Sequence, residues 1–340
     1  MPCARPIVVL AGLGVLLAGL SSGCGRSRSR ATDDEPRIYV ADWANHRIVR
    51  FDDMRGRNWT SFGTEGSGAG QFHFPVGVCV DPAGRVYVSE QRHHRVLRLD
   101  DLSGANWMTF SRKDAEGLRN NKYTGSWVFV DRAGRIYFTF DGSHRVVRMD
   151  DLDGTNWQAF GTEGSGAGQF RYPAGIWVDE AGRIYVADFD NFRIVRMEDM
   201  SGGNWTTFGR YGSASGEFIN PCGICVDVHG RIYVADQGND RVVRLDDMEG
   251  TNWTAIGSFG TSPQPGKLYA PCGVCVDRAG RIYVTECSSN HRLVRMDDMN
   301  GTNWTVFGTG GMGVGEFASP MGILYAHCHR RSSTPAAGTG

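Results

Sequence analysis

From Arg37 onward the chain sets short apolar runs between Gly- and Asp-rich breaks, and nowhere does the apolar spacing follow a helical period. The run Arg-Ile-Tyr-Val-Ala-Asp occurs at Arg37, Arg183 and Arg231, with close variants at Arg85, Arg135 and Arg281, spaced 48 or 50 residues apart. A run such as Pro173 to Asp179 precedes each copy. An Arg-bounded run such as Arg193 to Arg196 follows it, and then Asn-Trp at Asn58, Asn106, Asn156, Asn204, Asn252 or Asn303. One unit therefore holds four strand-like runs rich in Val, Ile, Tyr and Trp. The second of them, as in Ile38 to Ala41, is apolar on both alternating faces, which suits a strand covered by neighbouring sheets above and below. The pattern predicts an all-β fold, a six-bladed β-propeller of four-stranded antiparallel blades. The lack of paired amphipathic helices excludes helical solenoids.

Turn chemistry supports these strand limits. In Asp81-Pro82-Ala83-Gly84, and again from Asp179 to Gly182, Asp caps a hairpin and Gly supplies a positive φ. The repeats begin with a second-type run at Arg37 and end with a first-type run, Pro320 to Tyr325. Pairing the N- and C-terminal strands completes the sixth blade and closes the ring without exposed edges. Across Arg37 to Tyr325 the pattern Pro-x-Gly-Val-x-Val-Asp, Gly-Arg-Ile-Tyr-Val-Ala-Asp, Asn-x-Arg-Val-Val resembles the NHL repeat, and the resemblance implies the same six-bladed ring. The second blade departs most, with Gly125-Ser126-Trp127 where Pro-x-Gly is expected. Such a repeat specifies a fold far more than an activity.

The first residues are of another kind. After Arg5, an apolar or small run from Ile7 to Leu20, too short to span a bilayer, leads to Ser21-Ser22-Gly23-Cys24. Residues 1–23 are read as a signal peptide, and Cys24 as the lipidation site of a motif that resembles the bacterial lipobox; Ser21, where that motif usually has Leu, leaves ordinary secretion with a free Cys24 as the alternative. The remaining boundaries are a lipidated flexible tether over 24–36, the propeller over 37–326 and a disordered tail over 327–340. This organisation places the protein in the cell envelope, facing periplasm or exterior and held to the membrane by its lipid alone. With 36 basic and 37 acidic residues, no global field attracts nucleic acid. RNA binding, as in cytoplasmic NHL proteins, conflicts with both export and charge.

Several motifs suggest chemistry. Asp42, Glu90, Asp188, Asp236 and Glu286 close the second strand of five blades, a carboxylate ring with the chemistry for Ca²⁺, and Phe140 breaks the set. A place filled in nearly every blade serves the blade itself, so each acid is expected to satisfy its own turn and the following Arg. His46, His94, His144 and His291 share one place in neighbouring blades and suggest Zn²⁺, but equivalent sites on separate blades lie too far apart for one ion. No resident cofactor is therefore expected. In Cys222-x-x-Cys225 and Cys272-x-x-Cys275, strand residues three apart lie ~10 Å from each other, so free thiols are expected. The Gly-rich runs from Gly63 and Gly161 lack the helix of a phosphate loop and read as connections between blades.

What varies at equivalent surface places is free for recognition. The loops entering the first strand and those joining the second to the third share one face, where Trp43, Arg92, Tyr123, Phe140, Arg171, Tyr172, Phe189 and Tyr269 form the expected binding set around the channel mouth. The opposite face, with its Asp-Asp turns, is expected to be acidic and uniform. The function so indicated is a non-catalytic envelope platform that binds a protein, peptide or glycan, with no signal of oligomeric state. The resemblance also implies an alternative, a metal-dependent lyase or hydrolase at the channel mouth, similar to the amidating or streptogramin lyases. The amidating enzyme's axial histidines have no counterpart in this sequence.

Overall fold

A computed structural model describes residues 37–111 and 127–326, so the expected signal peptide, tether and tail lie outside the described residues. Blade 1 runs from its inner strand outward as Pro75–Val80, Val86–Glu90, Arg95–Leu99 and Met108–Phe110. Blades 2 to 5 repeat this order, with inner strands Val128–Val130, Pro173–Val178, Pro221–Val226 and Pro271–Val276. The sixth joins Thr60–Phe62, Arg47–Phe51 and Arg37–Asp42 to the last strand, Pro320–Ala326. Arg37 lies opposite Ala326 and Val40 opposite Ile323, so the two ends of the described chain close the ring. Each inner strand packs on the next, and Pro320–Ala326 packs back on Pro75–Val80.

The uniformly apolar second strands follow from this stacking. Ile184–Asp188 is buried at every position, and Tyr185 and Ala187 of blade 3 share one core cluster with Ile224, Val226 and Val234 of blade 4. Each hairpin between the first two strands is locked by its Asp. The Asp179 carboxylate accepts the amides of Ala181 and Arg183, takes Arg183 Nε at 2.7 Å and the Tyr185 hydroxyl at 3.2 Å. Asp81, Asp131, Asp227 and Asp277 do the same in their blades.

Around the axis the inner strands approach to backbone contact. A Cβ at Gly175 would collide with the Cys222 carbonyl oxygen, and Gly77, Gly223, Gly273 and Gly322 meet their neighbours in the same way. Beside this collar one buried side chain from each blade joins a single apolar plug: Val76, Trp127, Ala174, Cys222, Cys272 and Met321. Trp127 explains why blade 2 departs from Pro-x-Gly, since its indole fills the plug. At Gly175 φ is not positive, so the need for glycine there is steric alone. Replacing Gly175 by Ala is expected to lower unfolding free energy by about 1–3 kcal/mol, the usual cost of overpacking. Denaturant unfolding of the variant beside wild type measures it.

Candidate central funnel

Beyond the plug, toward the hairpins between first and second strands, the channel widens into a cavity of roughly 790 Å³. The fifth inner-strand place shapes it: Phe129, Trp177 and Leu324 are partly exposed, while the smaller Cys79, Cys225 and Cys275 are buried. Phe129 and Trp177 stand on adjacent blades with ring centroids 4.8 Å apart. Tyr325 completes the wall from the sixth blade, stacked on Tyr283 and accepting a hydrogen bond from Arg281 at 3.2 Å. The rim is uneven among the described hairpins, carrying Pro82, Arg132, Glu180, Val228 and Arg278, all exposed. Arg132 pairs with Glu180 at 2.6 Å, a contact of little energetic weight at such exposure. Besides the rim's Glu180, the carboxylates lining the funnel are the hairpin Asp residues, each already held by its own Arg.

The cavity lies at the other end of the channel from the loops expected to carry the binding set. The channel end next to the loops between second and third strands is filled by the plug, against which Trp43, Phe189 and Cys287 pack. Trp43 stacks on Phe74 at 4.3 Å and donates its Nε1–H to Gln91 at 3.0 Å, while Tyr172 packs on His144 and Tyr269 on Phe259. Phe140 is not on the rim at all, because its ring is buried in the core beside Phe138. Arg92 and Arg171 are exposed, and Tyr123 and Cys24 lie outside the described residues. The hairpin face, expected to be uniform, is the one that holds the cavity and the varied rim. Sequence comparison missed Phe129, Trp177, Leu324 and Tyr325 because it searched the loops, whereas the signal lies in the uneven size of the fifth inner-strand place.

The acids considered for Ca²⁺ are wholly buried and fully engaged. Asp188 accepts the Arg171 amide at 2.7 Å, Asn191 Nδ2 at 2.8 Å and Arg193 Nε at 2.8 Å, and Arg193 continues to the carbonyls of Ser165 and Gln169. Asp42, Glu90, Asp236 and Glu286 repeat the arrangement, so each pins the connection arriving from the previous blade. Burial pushes the carboxyls of Asp42, Asp188 and Asp236 above the ordinary range, against the pull of these donors. His46, His144 and His291 each accept a backbone N–H of the next blade's incoming loop, from Phe74, Tyr172 and Ser319. Among the described residues no three His, Cys, Asp or Glu side chains converge as metal ligands, so the residues present do not fit Ca²⁺ or Zn²⁺. The expectation of free thiols fails at Cys272, which forms a disulfide with Cys287. The register that sets Pro271 opposite Glu286 brings those two together. Cys79, Cys222, Cys225 and Cys275 remain free and buried, and burial pushes the Cys79 and Cys222 thiols up to about 12, where they are inert.

The model of the NHL repeat matches residues 72–99, 170–197 and 268–296, each time from the end of a connection through the first three strands of a blade. Three of the six blades therefore match the NHL repeat. The propeller is similar to a chain in a nidogen/laminin complex, with a TM-score of 0.62 and 18% identity over 86% of this chain and 98% of that one. It is also similar to virginiamycin B lyase from Staphylococcus aureus (TM-score 0.56, 16% identity, 87% and 93% covered). A protein of unknown function from Bacteroides caccae gives a TM-score of 0.59 at 14% identity, with 86% and 98% covered. At these identities the likeness shows the fold alone. No curated protein matches the sequence.

The histidine tie between blades carries a pH dependence. Burial holds His144 below its ordinary value of 6.5, with Glu163 opposing and Arg171 adding to the shift. Below 6.5 the unfolded chain binds a proton that the folded imidazole resists, so the contribution of His144 is complete above that value and lost as the pH falls. The stability advantage of wild type over His144→Gln is therefore expected to shrink from pH 7 to pH 5, as read by thermal unfolding across that range.

Proposed function

We propose that this NHL propeller is a non-catalytic recognition platform of the cell envelope, and that it takes a protein or peptide into the funnel at its hairpin face. The observation that carries the reading is the open cavity itself, with Phe129 and Trp177 partly exposed on its wall inside an uneven rim. Aromatic side chains in a preformed concavity are the anchors on which interfaces concentrate their energy. The lyase alternative draws support from the fold shared with virginiamycin B lyase. Against it stands the state of the funnel's five hairpin aspartates, each committed to its own arginine, which leaves only the exposed Glu180, paired with Arg132, among the described carboxylates there.

The envelope setting is part of the same proposal, with 1–23 as signal peptide and Cys24 as lipid anchor. The Cys272–Cys287 disulfide suits an oxidising compartment. Arg37 pairs with Ala326, and Ala326 lines the funnel, so a tether over 25–36 would start beside the funnel mouth.

Two measurements test this reading. Cys24→Ser is expected to move the protein from the membrane to the soluble fraction of its host, and retention in the membrane would refute the anchor. A protein or peptide that co-purifies with wild type is expected to lose affinity by about 2 kcal/mol with Trp177→Ala. It should keep its affinity with Trp43→Ala. The opposite ranking would return the site to the other face, and stoichiometric bound zinc would favour the lyase.

A further inference from the structure

We infer that the segment taken by the funnel is acidic as well as apolar: an aromatic or branched side chain lies against Phe129 and Trp177, and a neighbouring carboxylate meets Arg278. The inference rests on the funnel being a peptide-recognition site. Going round the ring, the rim residues are Pro82, Arg132, Glu180, Val228 and Arg278 on blades 1 to 5. Six-fold order therefore sets blade 5 opposite blade 2, and Arg278 across the mouth from Arg132. Arg132 is already paired with Glu180. Arg278 is exposed and forms no ion pair among the described residues. The five hairpin carboxylates in the wall are balanced one for one by Arg85, Arg135, Arg183, Arg231 and Arg281. Among the described residues the rim is thus left with one positive charge that has no ion-pair partner, Arg278, on the side opposite the aromatic wall. A ligand anchored on Phe129 and Trp177 and extended across the funnel arrives at that charge. A guanidinium meeting a carboxylate there makes a charge-assisted contact that a neutral amide cannot reproduce.

The test uses the purified full chain, titration calorimetry and three probes. One is a capped tetrapeptide, acetyl-Leu-Phe-Glu-Leu-amide. The second is the same peptide with Gln in place of Glu, and the third is the aromatic sulfonate 1-anilinonaphthalene-8-sulfonate. The acidic peptide is expected to bind roughly tenfold more tightly than its Gln counterpart. Arg278→Glu, a change at an exposed side chain, should erase that difference, while Trp177→Ala should weaken both peptides. Equal binding of the two peptides overturns the acidic ligand and leaves the recognition reading standing. Binding of the sulfonate without either peptide overturns the peptide as source in favour of a small aromatic acid. Failure of all three overturns both the inference and the funnel reading.

Discussion

The structure depends on how closely six inner strands can approach one axis. Where they meet, backbone lies against backbone, and in five blades only glycine leaves room, as the Cys222 carbonyl beside Gly175 shows. Next to that collar, one buried apolar side chain from each blade, Trp127 the largest, joins a single cluster that closes one end of the channel. Past it the strands diverge toward the hairpins, and side-chain size at one place per blade decides whether space is filled or open. Cysteine at that place in blades 1, 4 and 5, against Phe129, Trp177 and Leu324 in the others, makes a lopsided funnel with an aromatic side. The candidate site is thus a consequence of packing at the axis, set on strands whose positions the ring fixes.

The ring is held together by polar contacts as much as by the apolar seams between blades. In five blades a buried carboxylate gathers an incoming backbone amide and an arginine, and the arginine continues to carbonyls of the connection from the preceding blade. Each group in the set is worth little if exposed, but buried and mutually satisfied it is costly to break, because any loss strands a charge in the interior. Blade 2 is the exception. Phe140 replaces the acid, Arg145 is exposed, and Trp127 substitutes bulk for the glycine of the collar. The blade that gives up the polar tie is also one of the two that supply the aromatic wall, through Phe129.

Most of the architecture was legible in the chain because its causes are local and repeated. Alternating apolar runs, Asp and Gly at the hairpins and a displaced first strand led to six blades and their closure, and the register between Arg37 and Ala326 has that form. The structural role expected for the repeated acids also has a visible basis in their hydrogen bonds. The site was less legible. Which end of a channel is plugged depends on six residues from six blades meeting at the axis, and no segment of the sequence carries that information alone. The same holds for Cys272, whose partner Cys287 is fifteen residues away and adjacent only through the strand register. Phe140 misled for a related reason: its place ends a strand, but with no acid to engage the turn the ring folds inward against Phe138.

The central claim is that the channel is sealed at one end and open at the other. Thiol labelling of Leu324→Cys and Ala174→Cys under native conditions, followed peptide by peptide with mass spectrometry, tests it most directly. The account predicts rapid labelling at position 324, on the funnel wall, and none at 174, in the plug, until the fold is opened by denaturant. Equal labelling at both positions, or faster labelling at 174, would contradict it.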